Sequence, residues 1–558
     1  MTQKPDMITM TIGQMVEHQA NLHPNNEGLV APLLGVRYTY EQFNQECDTI
    51  AKAFLAMGIG KGDHIAIWST NYPQWVVTQI AASKIGAVLV TVNTAYKRFE
   101  LEYLLRQSDS STLITMQGLK DSNYIEHILG ICPELSGCKP GQLESEALPC
   151  LKRVIYLDEK TPDGMFNWKE LYDFAARVSD AELAEAKAKV DIHDVANMQY
   201  TSGTTGFPKG VMLTHFNLLN NGKGIGDCMR FTQNDRLLIH VPLFHCFGAV
   251  LGVMSCITHG TTIVLNDHFN PVQALQIIEA EKCTAVHGVP TMFISMLNVD
   301  GFNKYDLSSL RTGIMAGSPC PIELMRRAIG EMGMSEITIT YGLTEASPAI
   351  TMTTTEDSVD IRVNTIGKAM PHVEVKIVDP DTGEECPDGV PGEIMSRGYN
   401  TMKGYYNMPE ATAQAIEPDG WLHTGDIGTR DASGYYKVTG RLKDMIIRGG
   451  ENIYPRELEE FLYTHEAVQD VQVIGVPDEK YGEEVMACVI LKPGAAEPTE
   501  EAMIEFVKNG LSRFKAPRYV RYVQSFPMNA AGKIQKFKMR EWAVEQLGLG
   551  EAANIETA

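Results

Sequence analysis

Short apolar runs of strand length alternate, over most of this chain, with stretches whose apolar positions recur at helical spacing. Residues 64–69, 87–93 and 111–116 are runs of the first kind, and residues 40–56 and 98–107 are stretches of the second. Such alternation predicts an α/β architecture with largely parallel sheets. A second α/β stretch is expected over residues 192–355, with strands at 195–200, 284–288 and 338–341 and a helix beginning at 216–221. Beyond residue 365 short strands are split by two turn sequences, Asp379-Pro380-Asp381-Thr382-Gly383 and Asp388-Gly389-Val390-Pro391-Gly392. That texture predicts a small β-barrel. Downstream of Gly440-Arg441-Leu442-Lys443 come helix-like 454–464, strand-like 468–475 and 485–492, and helix-like 500–511, a compact α+β module. The expected fold is α/β. A large N-terminal domain, 1–442, holds two α/β subdomains to about residue 360 and the β-barrel over about 361–440, and it is hinged to a small α+β domain, 443–558.

Composition changes this picture little, whereas charge narrows the function. A chain of 558 residues is too long for a single core. A formal charge of −22 argues against non-specific nucleic-acid binding. The most apolar stretch, 247–257, is well short of the ~20 residues that cross a bilayer. No secretory h-region or Arg-rich transit pattern is evident near the N-terminus, so the expected location is cytoplasmic. Eleven cysteines occur without a C-x-x-C, which suits reduced thiols and neither a disulfide framework nor a zinc site. Residues 506–540 hold nine basic residues and no acidic one. In so acidic a protein this is a candidate anion-binding surface; the plainer alternative is a solvated basic face.

Candidate chemistry concentrates first in residues 201–210. Gly203 and Gly206 would let the backbone approach an anion, and Thr201, Ser202, Thr204 and Thr205 would donate to its oxygens. Lys209 would add a positive charge. The loop is not a Walker A motif, because its glycines are three apart and Lys209 is followed by Gly210, not by Ser or Thr. A structural turn is the alternative, and ATP is the first candidate ligand.

Further segments follow in order: Tyr341-Gly342-Leu343-Thr344-Glu345, then Trp421 through Asp426, then Gly440-Arg441-Leu442-Lys443-Asp444 through Gly449-Gly450-Glu451-Asn452, and finally Gly532-Lys533. With the glycine-rich loop, this series resembles the adenylate-forming superfamily of acyl-CoA synthetases, adenylation domains and luciferases. The resemblance spans about 39–540. Together with Val241-Pro242-Leu243-Phe244-His245, the loop looks most like fatty acyl-CoA synthetases of medium-chain type.

That resemblance implies an acid–thiol ligase that joins a carboxylate to coenzyme A through an acyl-adenylate, using ATP and Mg²⁺. Lys533 would bridge the carboxylate and the α-phosphate, although Asn529 stands where Thr is common. Glu345 would contact Mg²⁺ and Thr344 the α-phosphate, the alternative being that both cap a turn. Adenine would lie between Gly317-Ser318-Pro319 and the ring of Tyr341, the alternative for that ring being ordinary core, and Gly342 would also border the nucleotide. Asp426 and Arg441 would hold the ribose, a carboxylate offering two acceptors to two hydroxyls. His245 would gate an acyl pocket lined by Phe244, Cys246, Phe247, Gly248, Met292 and Met315, which suits an uncharged acyl group. Gly449 and Gly450 would wall a pantetheine tunnel, Lys515 and Arg518 would meet CoA phosphates, and Lys443 would be the hinge of a domain rotation between half-reactions. Two other readings stand beside this one: a stand-alone enzyme loading a carrier-protein thiol, and a catalytically dead nucleotide-binding homologue. Chain length or ring shape of the acid, the direction of the reaction and the oligomeric state, a homodimer among the options, stay open.

Overall fold

The structure, a computed structural model, describes residues 6–201, 208–317, 320–441, 444–448, 451–478, 481–511, 513–529 and 533–549. Among these, eight strands form one sheet in the order Gly404–Tyr405, Lys209–Thr214, Val195–Thr201, Val88–Thr91, His64–Trp68, Thr112–Thr115, Arg153–Tyr156, Phe166–Asn167. The sheet is parallel from Val195–Thr201 onward and antiparallel at its other edge. A nine-stranded sheet is parallel from Glu336–Gly342 through Thr312–Met315, Ala285–Val286, Arg236–Ile239 and Thr262–Leu265 to Glu27–Ala31. Antiparallel strands close both of its ends.

The two subdomains interleave, which corrects the expectation of two consecutive units. Val195–Thr201 and Lys209–Thr214, expected to open the second unit, complete the first sheet against Val88–Thr91. The N-terminal hairpin of Glu27–Ala31 and Val36–Thr39 edges the second sheet instead. A ring of charge fastens it there: Arg37 and Arg236 each reach both Glu27 and Glu281 at 2.5–2.7 Å. Apolar periodicity specifies that a segment is a strand but not which strand it pairs with.

Local signals were obeyed where packing agreed with them. Helix Tyr40–Ala56 starts at a capping box, Thr39 with Gln42. Helix Pro73–Ile85 is buried nearly all round, the polar Thr78, Gln79, Ser83 and Lys84 included. The helix expected at 216–221 runs much further, His215–Met229, through three glycines. A Cβ at Gly222 would sit 2.7 Å from Met254, and one at Gly226 would sit 2.4 Å from the His259 ring. Those glycines admit a close helix contact, so tertiary packing overrides their poor helix propensity.

One core cluster joins both sheets, containing Leu89 and Ile114 from the first and Ile239 and Ile263 from the second. The barrel expected over 361–440 is a half-barrel: Val373–Val378, Gly392–Gly398, Leu422–Arg430 and Tyr436–Arg441 form an antiparallel sheet whose two outer strands do not pair with each other. The C-terminal module has its own sheet, in which Gly482–Leu491 pairs with Val468–Asp478, Ile446–Arg448 and Tyr519–Tyr522. Its cores are separate from those of the N-terminal domain. No helix among the described residues is long and apolar enough to cross a membrane.

Candidate active site

The hairpin formed by Val195–Thr201 and Lys209–Thr214 sets Thr201 directly opposite Lys209 at the mouth of the glycine-rich loop. Ser202, Gly203, Thr204, Thr205 and Gly206 lie outside the described residues, as do Ser318, Pro319, Lys443, Gly449 and Gly450. The Lys209 ammonium sits over the face of the Tyr405 ring, 4.9 Å from its centroid. The Tyr405 hydroxyl donates to Glu345 Oε1 at 2.8 Å. Glu345 lies on the short helical turn Thr344–Ala346 that follows strand Glu336–Gly342. Three chain segments, far apart in sequence, thus meet around one aromatic ring.

On the same strand, the Tyr341 hydroxyl donates to Asp426 Oδ2 at 2.8 Å and ties the second sheet to the half-barrel. Asp426 is buried and is the register partner of Arg441. The two residues expected at the ribose therefore stand side by side on adjacent strands. Gly342 is required by the backbone it faces. A Cβ there would lie 1.8 Å from the Pro348 carbonyl oxygen, so only glycine lets the two backbones approach. Gly317, next to the adenine candidates, has φ +88°, a left-handed conformation that favours glycine.

His245 opens the segment leading into Phe247–Met254, eight residues wound as a π-helix. Such wide turns recur at functional sites. The His245 Nδ1 accepts the Phe247 N–H at 3.1 Å and lies 3.5 Å from the Cys246 sulfur. In the neutral ring the proton is therefore on Nε2. Burial, helped by the positive charge of Lys533, lowers the His245 pKa to about 4. The Cys246 thiol, pushed up to about 12 chiefly by burial, lies 3.7 Å from Thr344 Oγ1 and also feels Lys533. Lys533 belongs to the C-terminal module. Its charge is near enough to act on both groups, and Met528 bridges Ile534 beside it. Reciprocal bonds hold this hairpin tip: Lys533 N–H donates to Asn529 Oδ1 at 2.9 Å and Asn529 N–H to the Lys533 carbonyl at 2.8 Å.

Among the expected acyl-pocket residues, Cys246, Phe247 and Met292 share one buried cluster, and the Phe247 ring stacks on His287 at 5.9 Å. A Cβ at Gly248 would meet the Pro242 carbonyl at 2.5 Å. Phe244 is buried nearby in sequence but outside that cluster. Met315 does not belong with them. It packs on the opposite face of its strand with Leu238 and Phe293, whereas Ile314 and Ala316 face the Phe247 cluster. The expectation was one residue out of phase, and alternation along a strand turns such an error into the wrong face. His287 was missed too. It is fully buried, its Nδ1 accepts from Ile314 N–H at 3.2 Å and its Nε2 meets the Leu251 carbonyl at 3.1 Å. Tyr405 was missed because a Gly-Tyr-Tyr run carries no pattern of its own.

Among the described residues, Lys508, Lys515, Arg518, Arg521, Lys536 and Arg540 of the basic stretch pair with carboxylates of their own module. Lys515 sits 2.6 Å from Glu457, and Arg518 lies 3.5 Å from Glu484. Sequence alone hid this pairing because the acids come from 457–505. A cavity of about 580 Å³ lies along residues 401–416, against Tyr405, Met408 and Lys403, and no expected acyl-pocket residue lines it. No group of three or more His, Cys, Asp or Glu among the described residues is placed to hold a metal on protein ligands alone.

Residues 16–406 match the family model for the AMP-binding enzyme, and residues 457–533 match that for the AMP-binding enzyme C-terminal domain. The chain belongs to the AMP-binding enzyme family, within the adenylate-forming superfamily and its acyl-CoA synthetases. It is 52% identical to YngI of Bacillus subtilis (strain 168), an acyl-CoA synthetase by name, over 98% of this chain and 100% of that one. It is 41% identical to the mitochondrial medium-chain acyl-CoA ligase ACSF2 of Mus musculus, over 97% of this chain and 89% of that one. Among solved structures, the anthranilate CoA ligase AuaEII in complex with anthranoyl-AMP superimposes with a TM-score of 0.84 at 26% identity, covering 97% of this chain and 98% of that one. ATP-bound MatB of Rhodopseudomonas palustris gives 0.82 at 28% identity, covering 96% and 100%.

Proposed function

We propose that this protein is an AMP-forming acyl-CoA ligase for an apolar carboxylic acid, a medium-chain fatty acid or a compact ring acid. The observation that carries the reading is the meeting of Lys209 and Glu345 on the Tyr405 ring beside the phosphate-loop hairpin, in a chain of the AMP-binding enzyme family. Lys533 of the small module, whose charge acts on His245 and Cys246, would supply a cation where an acyl carboxylate and an α-phosphate meet. In the first half-reaction a carboxylate oxygen attacks the α-phosphorus of ATP, the bond to the β-phosphate breaks, and pyrophosphate leaves. Both reactants are anions, so Lys533 and Lys209 would offset the charge that builds in the pentavalent transition state.

Glu345 suits a Mg²⁺ site: it is a half-exposed carboxylate beside the phosphate loop, with one oxygen held by Tyr405 and the other available to a hard cation. Bound there with nucleotide, Mg²⁺ would neutralise phosphate charge. Asp426 would accept the ribose hydroxyls. Neutral His245, with its proton on Nε2, is a donor toward the carboxylate and not a general base, since a carboxylate is already nucleophilic. In the second half-reaction the CoA thiol attacks the acyl carbon, AMP leaves, and the small module would turn about Lys443 to present Gly449 and Gly450. Ring or chain specificity rests on the Phe247, Met292 and His287 side of the pocket, where one methylene is worth about 1–3 kcal/mol.

The test is AMP release from ATP and Mg²⁺, with and without CoA, across straight-chain acids of rising length, benzoate and cyclohexanecarboxylate. Dependence on CoA and on one acid class is the expected result. Pyrophosphate release that CoA does not accelerate would favour a carrier-protein thiol as acceptor, and no turnover with any acid would favour a dead homologue.

A further inference from the structure

We infer that Tyr405 is a positioning residue that keeps Lys209 and Glu345 apart and aims each at its own part of a metal–nucleotide. The inference rests on the reading of the site given above. Tyr405 is 8% exposed and packs in the main core cluster, so its ring has little freedom. Backbone pairing fixes it further: Tyr405 is the register partner of Val211, and the N–H groups of Lys403 and Tyr406 donate to Met212 and Gly210 at 3.0 and 2.8 Å. On the other side the Met402 N–H donates to the Glu345 carbonyl at 2.8 Å. Segment 402–406 therefore laces the exit strand of the phosphate loop to the Thr344–Ala346 turn, and Tyr405 is where both are touched by one side chain.

The two ends of that side chain suit opposite charges. Its π face carries negative quadrupole density and attracts the Lys209 ammonium, 4.9 Å from the centroid. Its hydroxyl donates to Glu345 Oε1 at 2.8 Å. A lysine and a glutamate this near a common ring would otherwise be drawn into a direct ion pair, each using up the charge that a phosphate and a divalent cation require. With the phenol between them, Glu345 is held in one orientation with its second oxygen uncommitted to Tyr405, and Lys209 stays on the loop side. Tyr405 acts through these neighbours and is not itself in contact with reacting atoms.

The experiment is the Mg²⁺ dependence of ATP binding, read by titration calorimetry on the full chain for wild type, Tyr405→Phe and Glu345→Gln. Melting temperatures without nucleotide report whether each variant keeps its fold. Tyr405→Phe retains the ring and its packing and removes only the hydroxyl. The expected result is an unchanged melting temperature with the Mg²⁺ concentration for half-maximal ATP binding raised about tenfold, the scale of one hydrogen bond to a charged acceptor. Glu345→Gln should raise it at least as much. A shift in Glu345→Gln with none in Tyr405→Phe would overturn the role of Tyr405 while leaving the metal reading intact. No shift in either variant would overturn both, and absence of ATP binding by wild type would remove the nucleotide reading itself. Tyr405→Leu adds a check on the ring: ATP affinity at saturating Mg²⁺ should fall further than in Tyr405→Phe, and equal affinity would exclude the seat for Lys209.

Discussion

The nucleotide side and the lysine side of this site are built in opposite ways. On the nucleotide side every described group is locked into the large domain: Tyr341 on Asp426, Tyr405 on Glu345, Asp426 level with Arg441 across a sheet. On the other side Lys533 is exposed, sits on a hairpin tip, and belongs to a module with its own cores. In the proposed reaction, fixed groups would pre-organise the binding of a ligand common to both half-reactions. A group needed in one half-reaction only is better carried by a part that can leave.

The comparison predicts separable failures, the largest at Lys533. Lys533→Ala should lower the rate of adenylation about 10²–10³-fold, the usual cost of deleting one charge-stabilising donor. Because the residue is exposed, melting temperature should hold, and thioester formation from supplied acyl-AMP should persist. Equal loss of both steps would mean that the lysine is not confined to one half-reaction. Asp426→Asn comes next. It exchanges one acceptor oxygen for a donor and also weakens the bond from Tyr341, so the KM for ATP should rise about tenfold or more, consistent with ~1.5–3 kcal/mol for a charged hydrogen bond. Gly342→Ala attacks the same side through the backbone: its methyl group overlaps the Pro348 carbonyl, and stability should drop by roughly 1–3 kcal/mol in denaturant titration.

Acid sharpens the contrast. Burial lowers the pKa of His215, His240 and His287 to about 4, 3 and 4, and all three lie in the large domain. Between those values and the ordinary imidazole pKa of about 6.5 the unfolded chain binds protons that the folded domain does not. Stability is therefore full above about pH 6.5 and is lost as pH falls toward 4. In the small module burial instead raises the carboxyl pKa of Asp470 and Glu460. Those carboxyls hold protons in the folded state that the unfolded state releases, so they cost stability as pH rises and not as it falls. Calorimetric scans from pH 7 to 4.5 should show the large-domain transition falling first, and parallel shifts of both would contradict this assignment.

Much of this was legible in the chain because it is local. Helices Tyr40–Ala56 and Arg98–Gln107 and the central strands lie where apolar spacing puts them, and the ordered motifs led to Glu345, Asp426 and Lys533. What failed was non-local. The first-sheet hairpin was given to the wrong subdomain because periodicity names no partner. Met315 was put on the wrong face because a strand forgives no one-residue error. His215–Met229 was cut short because glycines that weaken a free helix are what let this one touch its neighbour. Tyr405 and His287 act through contacts with residues far away in sequence, which no spacing encodes.

The smallest expected effect tests the remaining ambiguity, the basic face of the small module. Arg518 is half-exposed and pairs with Glu484 at 3.5 Å and Asp478 at 3.9 Å. The Arg518 guanidinium is solvated, and the buried Glu484 keeps Arg448 at 2.9 Å, so Arg518→Ala should leave the melting temperature nearly unchanged. If the same guanidinium also meets a CoA phosphate, the KM for CoA should rise about threefold to fivefold, the KM for ATP should not, and the difference should shrink with dephospho-CoA. Low salt should enlarge it, since screening acts on exposed charges first. A KM for CoA unchanged at low salt would leave Arg518 as one more solvated partner of Glu484. The lysine side of the site would then rest on Lys533, with Arg518 a structural partner of its own module.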